Sequence, residues 1–161
     1  MATMAARMLD LADKLAAEEG RSSSAVRRRA ISTAYYAVFH AVVKICADSL
    51  LQPGATRDRT SDEYARVYRA LEHGTLKNAF AQEKSPLRSR QALRRIGELI
   101  VPLRSARFIA DYSPPVTNVF TPRQGRDFVA QARKAVSELN GLDDEDRRVL
   151  AAWLLFKNPP Q

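Results

Sequence analysis

The stretch from residue 30 to residue 47 constrains this chain more than any other. Ile31, Tyr35, Val38, Val42 and Ile45 recur at alternating steps of four and three residues, with Ala30, Ala34, Ala37 and Ala41 interleaved. At 3.6 residues per turn the larger side chains form one apolar stripe, and the alanines beside it permit close approach of neighbouring helices. Such a helix requires other helices to cover it.

The remaining sequence supplies candidates. Met4, Met8, Leu11 and Leu15 mark one face of a first helix ending near Gly20, and Ser22, Ser23 and Ser24 offer caps for the second, which Pro53 and Gly54 stop. Residues 52–61 read as a polar loop. Asp62 caps a third helix bearing Tyr64, Val67, Tyr68 and Leu71, interrupted at Gly74 before a shorter segment around Leu76 and Phe80. Lys84 to Pro86 reads as a connector, and Leu93, Ile96, Ile100 and Leu103 place a fourth helix from about Arg88, with Pro102 predicting a kink or break inside it. Thr121 followed by Pro122 starts a fifth helix with Phe128, Ala132, Val136 and Leu139, which Gly141 ends. The acidic run Asp143, Asp144, Glu145 and Asp146 suits the positive dipole end of a sixth, over residues 143–156, with Val149, Leu150, Trp153 and Leu154. No segment alternates with period two. The expectation is an all-α bundle of five to six helices with a Pro-kinked fourth helix, forming a single domain over residues 1–161, a length suited to one core.

Charge narrows the function. The net charge is +8, and residues 86–134 hold ten basic residues against Glu98, Asp111 and Asp127. The excess is therefore regional and predicts a positively charged face; 20 of the 26 basic residues are Arg, whose planar fork matches phosphate oxygens. Charged residues interrupt the N-terminus, and the apolar run from Val149 to Phe156 is far short of the roughly 20 residues that cross a bilayer. Neither export nor membrane association is expected. Cys46 is the sole cysteine, so no intrachain disulfide forms and a cytoplasmic location fits. His40 and His73 give no metal-ligand spacing, and there is no glycine-rich phosphate loop; no metal or cofactor is expected.

Two short motifs give the strongest lead. Ala30-Ile-Ser-Thr-Ala-Tyr-Tyr-Ala-Val-Phe-His40 resembles the Ala-Tyr-Tyr-Ala-x-Phe-His signature of HEPN domains, the higher eukaryote and prokaryote nucleotide-binding family. Leu103-Arg-Ser-Ala-Arg-Phe-Ile-Ala-Asp-Tyr112 resembles that family's Arg-x-x-Ala-Asp-Tyr segment, and Arg69-Ala-Leu-Glu-His-Gly74 has a similar look between them. The resemblance covers about residues 24–139. It implies a helical bundle, commonly a homodimer, whose active members are metal-independent ribonucleases of toxin, defence and RNA-processing systems. Those members carry an Arg, four to six residues, then a His.

Here the sequence departs from the pattern, because Asp111 and Tyr112 follow Arg107 with no His between. A His would supply a proton-transfer group near neutrality, and an Arg would offset phosphate charge. The resemblance makes Arg107, Asp111 and Tyr112 the candidate catalytic residues, with Arg104, Tyr36, His40 and His73 as candidates for binding RNA or nucleotide. Each has a plainer reading. Arg107 and Asp111 form an intrahelical ion pair; Tyr35 and Tyr36 are each core residues, although their adjacent sectors allow one to be core while the other reaches an interface or a ligand; His40 is a satisfied core residue or shares a polar site with Tyr36; His73 partners a helix C-terminus. Arg66 and His73 match the family spacing formally, in a different helix. Arg27, Arg28 and Arg29, on consecutive sectors of one turn, are mostly solvated. Two functions stand open: an RNA- or nucleotide-binding dimer with endoribonuclease activity, or an inactive interaction module for a partner protein such as a nucleotidyltransferase-like antitoxin.

Overall fold

The computed structural model describes residues 2–18, 23–51, 59–83, 85–115 and 119–156. Of these, 82% are helical and none lies in a strand, so the core is made entirely by helix packing. The described residues form eight helices: α1 (Met4–Ala16), α2 (Ser23–Leu51), α3 (Asp62–Tyr68), α4 (His73–Ala81), α5 (Pro86–Ser89), α6 (Gln91–Tyr112), α7 (Pro122–Asn140) and α8 (Asp144–Leu155). The expected five to six is thus corrected to eight. The helix stop read at Gly20, the cap at Ser22, the Pro53–Gly54 turn and Lys84 lie outside the described residues.

α2 is the central element, with α1, α3, α6, α7 and α8 packed against it. Its length and hydropathy alone would let it cross a membrane, but 78% of its apolar window is buried among the other helices. Ile31, Tyr35, Val38 and Val42 are fully buried, as are Ala30, Ala34 and Ala37. The alanines receive α1, whose buried face is Ala5, Leu9 and Ala12. This corrects the stripe read from sequence, since Met4 and Leu11 are exposed. Small residues win the contact because two alanine-lined helices approach more closely than a Met or Leu between them would allow.

The extra helices come from breaks that propensity does not encode. Residues 69–72 separate α3 from α4 and carry Leu71 into the core. Arg90, in extended conformation, separates α5 from α6 while its guanidinium pairs with Asp146 and with Glu145 of α8. α6 runs unbroken through Pro102, so the expected break does not occur. Pro102 is exposed, which leaves the carbonyl that loses its helical donor on the solvent side. The cap expected at Thr121 holds, forming a capping box with Gln124 at α7, and the acidic run lies at the start of α8 as expected, with Asp143 also accepting from the Asp146 N–H at 2.7 Å. At α3 the cap is Ser61, one residue before the expected Asp62.

Arg27 and Arg28 are anchors. Arg28 donates to the carbonyls of Ser113 and Pro114, each at 2.8 Å, and Arg27 donates to the Phe120 carbonyl at 2.7 Å. The Arg28 cation just past the C-terminal end of α6 also suits the negative dipole end. Together the two side chains fix the chain leaving α6, and with it the direction of the segment that carries Arg107.

Candidate functional site

Tyr35 and Tyr36 lie one residue apart on α2, about 100° around the helix. That rotation gives them different surroundings. Tyr35 is fully buried, whereas Tyr36 is half-buried and faces the last turns of α6. There Arg107, itself only 8% exposed, donates from Nη2 to the Tyr36 hydroxyl oxygen at 2.6 Å. Its Nε lies 2.8 Å from Asp111 Oδ2, one turn along α6, but off the line a hydrogen bond requires. The contact is an ion pair.

Aromatic rings complete the seat of the guanidinium, whose carbon lies 5.2 Å from the Tyr36 ring centre, 5.7 Å from that of Tyr35 and 5.6 Å from that of Tyr112. Cations over ring faces are attracted by the ring quadrupole, more strongly where water is excluded. Burial pulls the Arg107 pKa down, but Tyr36 as hydrogen-bond partner and the Tyr36, Asp111 and Tyr112 charges outweigh it and raise the value above that of an ordinary Arg. Arg107 is therefore a fixed, permanent cation. The intrahelical pair with Asp111 does form, yet it is only one side of a cage to which α2 gives Tyr35 and Tyr36 and α6 gives Asp111 and Tyr112.

A histidine of α4 packs against the same Tyr36 ring. His73 is at the first helical position of α4, not at the C-terminal helix end expected from Gly74. Its Nδ1 lies 2.9 Å from the Tyr35 hydroxyl, and its ring packs on Phe39 at 4.1 Å and edge-on to Tyr36 at 5.5 Å between centres. Burial, then the positive charges of Arg107 and Arg104 and the neighbouring His40, lower its pKa below the usual imidazole value. A neutral ring results at pH 7. Burial also raises the Tyr35 hydroxyl to about 12, despite the two arginines. Tyr35 thus stays protonated beside His73.

Arg104 is one turn before Arg107, its guanidinium carbon 5.7 Å from the exposed Phe108 ring, and its buried Nε has no hydrogen-bond partner. Tyr112, Phe108 and Ile109 are exposed around it. His40 is not brought to Tyr36: its Nδ1 lies 2.7 Å from the Tyr68 hydroxyl of α3, and burial lowers its pKa. Arg66 is exposed on α3, and no contact joins it to His73. Cys46 is buried, and burial raises its thiol to about 12. Among the described residues there is no group of three metal-ligating side chains.

The structure therefore joins Tyr36, His73, Arg104, Arg107, Asp111 and Tyr112 and leaves His40 one ring away, behind Phe39. Sequence reasoning missed the proximity of His73 to Arg107 and the part of Tyr35, because both depend on how α4 crosses α2. Comparison with protein-family models, curated proteins and solved structures gives no match.

Proposed function

We propose that this chain is a HEPN-type, RNA- or nucleotide-binding homodimer that cleaves RNA without a metal. The observation that carries the reading is the placement of a neutral His73 and a permanently charged Arg107 against the same Tyr36 ring. The pair restores, from two helices, the Arg and His that active members of the resembling family carry in one.

The chemistry follows from these groups. With Nδ1–H donating to Tyr35, Nε2 of His73 holds the lone pair that takes the proton of a ribose 2′-hydroxyl. The 2′-oxygen then forms a bond to phosphorus and the bond to the 5′-oxygen breaks, leaving a 2′,3′-cyclic phosphate and a 5′-hydroxyl protonated from solvent. Arg107 and Arg104 offset the added negative charge, and Tyr36, whose oxygen already accepts from Arg107, has its O–H free for a phosphate oxygen. Asp111 positions Arg107. The exposed Phe108, Ile109 and Tyr112 are the face on which a second copy would bring its own Arg107 to a shared cleft.

The test is cleavage of a mixed RNA pool in EDTA by purified protein. Wild type should cut RNA and not DNA, and His73→Ala should lower kcat by about a hundredfold or more. Arg107→Ala should abolish cleavage with the fold intact by circular dichroism, whereas Asp111→Asn should keep part of it. No cleavage by wild type at high enzyme concentration would leave the interaction module as the better reading.

A further inference from the structure

We infer that the groove between α4 and α6 is a second contact for the substrate, a subsite that holds the RNA strand after it leaves Arg107. The inference rests on the RNA reading above, and the residues that line the groove are not among the catalytic groups. α4 and α6 lie side by side and antiparallel: His73, at the start of α4, shares the Tyr36 ring with Arg107 near the end of α6, while Phe80, at the end of α4, meets Gly97 near the start of α6. The two ends of one helix pair are thus the candidate site and the groove.

The groove has a volume of about 340 Å³, within the lower range of small-ligand sites, about 300–1,000 Å³. Phe80, Val101 and Pro102 give it apolar walls, and the absence of a Cβ at Gly97 lets the Phe80 ring pack directly against α6 at its floor. Arg88 and Arg94 line it and also line the adjoining cleft, so both guanidinium groups stand where the two depressions meet. Both residues are exposed, and among the described residues neither has a carboxylate partner, unlike Arg59, Arg90, Arg95, Arg107, Arg123 and Arg133. Glu98 on the same wall offers an acceptor suited to the exocyclic amino group of a base, and so faces the base and not the phosphate.

Position along α6 connects groove and site. Arg94, Gly97, Val101, Arg104 and Phe108 follow at steps of three and four, one face of a helix. From Arg94 to Arg107 the axial distance is ~20 Å at 1.5 Å per residue, a span that several nucleotides cover. Arg104 stands between them with a buried, unpartnered Nε. An apolar floor beside two free guanidinium groups, in line with a third, is the chemistry that holds a single strand: bases on apolar surface, phosphates on Arg.

The experiment measures binding of a fluorescent 20-nucleotide single-stranded RNA by wild type and by Arg88→Ala/Arg94→Ala at several salt concentrations, with thermal melting as the control for fold. The double variant should bind about tenfold more weakly, and its plot of log affinity against log salt should be shallower by about 1.4, two phosphates at about 0.7 each on a single strand. Ala81→Glu, which places a carboxylate at the groove rim, should weaken binding similarly. A three-nucleotide substrate, too short to reach the groove, should be cleaved equally by all three proteins. Wild type binding RNA with unchanged affinity and salt slope in both variants overturns the subsite and leaves the RNA reading standing. Absence of RNA binding by wild type overturns both.

Discussion

At the scale of single residues, the decisive fact is how much one step along a helix changes. Tyr35 and Tyr36 are neighbours, and the sequence already implied that one would be core and the other would not. The arrangement of charge around them could not be read there, because His73 and Arg107 approach from elements far away in the chain. The lowered pKa of His73 makes this arrangement measurable. A group that resists protonation when folded takes up its proton first in the unfolded chain, so stability from a neutral His73 is full above the ordinary imidazole pKa of about 6.5 and declines as pH falls below it, until the folded pKa is passed. The same shift keeps Nε2 a base at lower pH. The acid limb of kcat/KM against pH should therefore lie below about 6.5. Tyr35→Phe should cost about 1 kcal/mol by chemical denaturation, the net worth of one buried hydrogen bond, and should change the position of that limb. An acid limb at or above the ordinary value would mean that His73 is not the base.

Helices and their breaks were legible to different degrees. The cap at Thr121 was legible because that interaction is local, whereas at α3 the cap falls on Ser61 and not on the expected Asp62. The buried face of α1 and the breaks at residues 69–72 and at Arg90 were not, because packing against α2 and pairing with α8 decide them. α6 contains two residues that ordinarily weaken helices, and the structure gives them opposite roles. A Cβ at Gly97 would stand 2.7 Å from Phe80 Cδ1 and 3.2 Å from Phe80 Cβ. Gly97→Ala gains about 1 kcal/mol in helix propensity, yet the buried Phe80 cannot yield, so a net loss of about 1–3 kcal/mol is expected in urea unfolding. Pro102 is exposed, so its cost is a missing N–H with little packing in return. Pro102→Ala should stabilise the fold by about 1–3 kcal/mol, and a neutral or destabilising result would show that the proline shapes α6 in some needed way.

For the molecule as a whole, the sequence was informative about class and charge and silent about surface. An all-α chain with a net charge of +8 follows from periodicity and composition, whereas the exposure of Phe108, Ile109 and Tyr112 together depends on which side of α6 is covered by α2 and α7. In the proposed homodimer these three large side chains beside the cationic cage would meet their own copies across a twofold axis. Like charges would then be brought close. Self-association should therefore strengthen as salt screens the repulsion, the Debye length falling from about 10 Å at 0.1 M to 3 Å at 1 M. RNA affinity should weaken over the same range, because phosphate contacts release counterions. Sedimentation equilibrium and RNA titration across one salt series separate the two effects by sign. Ile109→Glu should yield monomers at every salt concentration while keeping the helical content, and should lose cleavage if two copies of Arg107 are needed. A wild-type protein that is monomeric at high salt and high concentration would remove the shared cleft from the proposed mechanism and leave each chain to act alone.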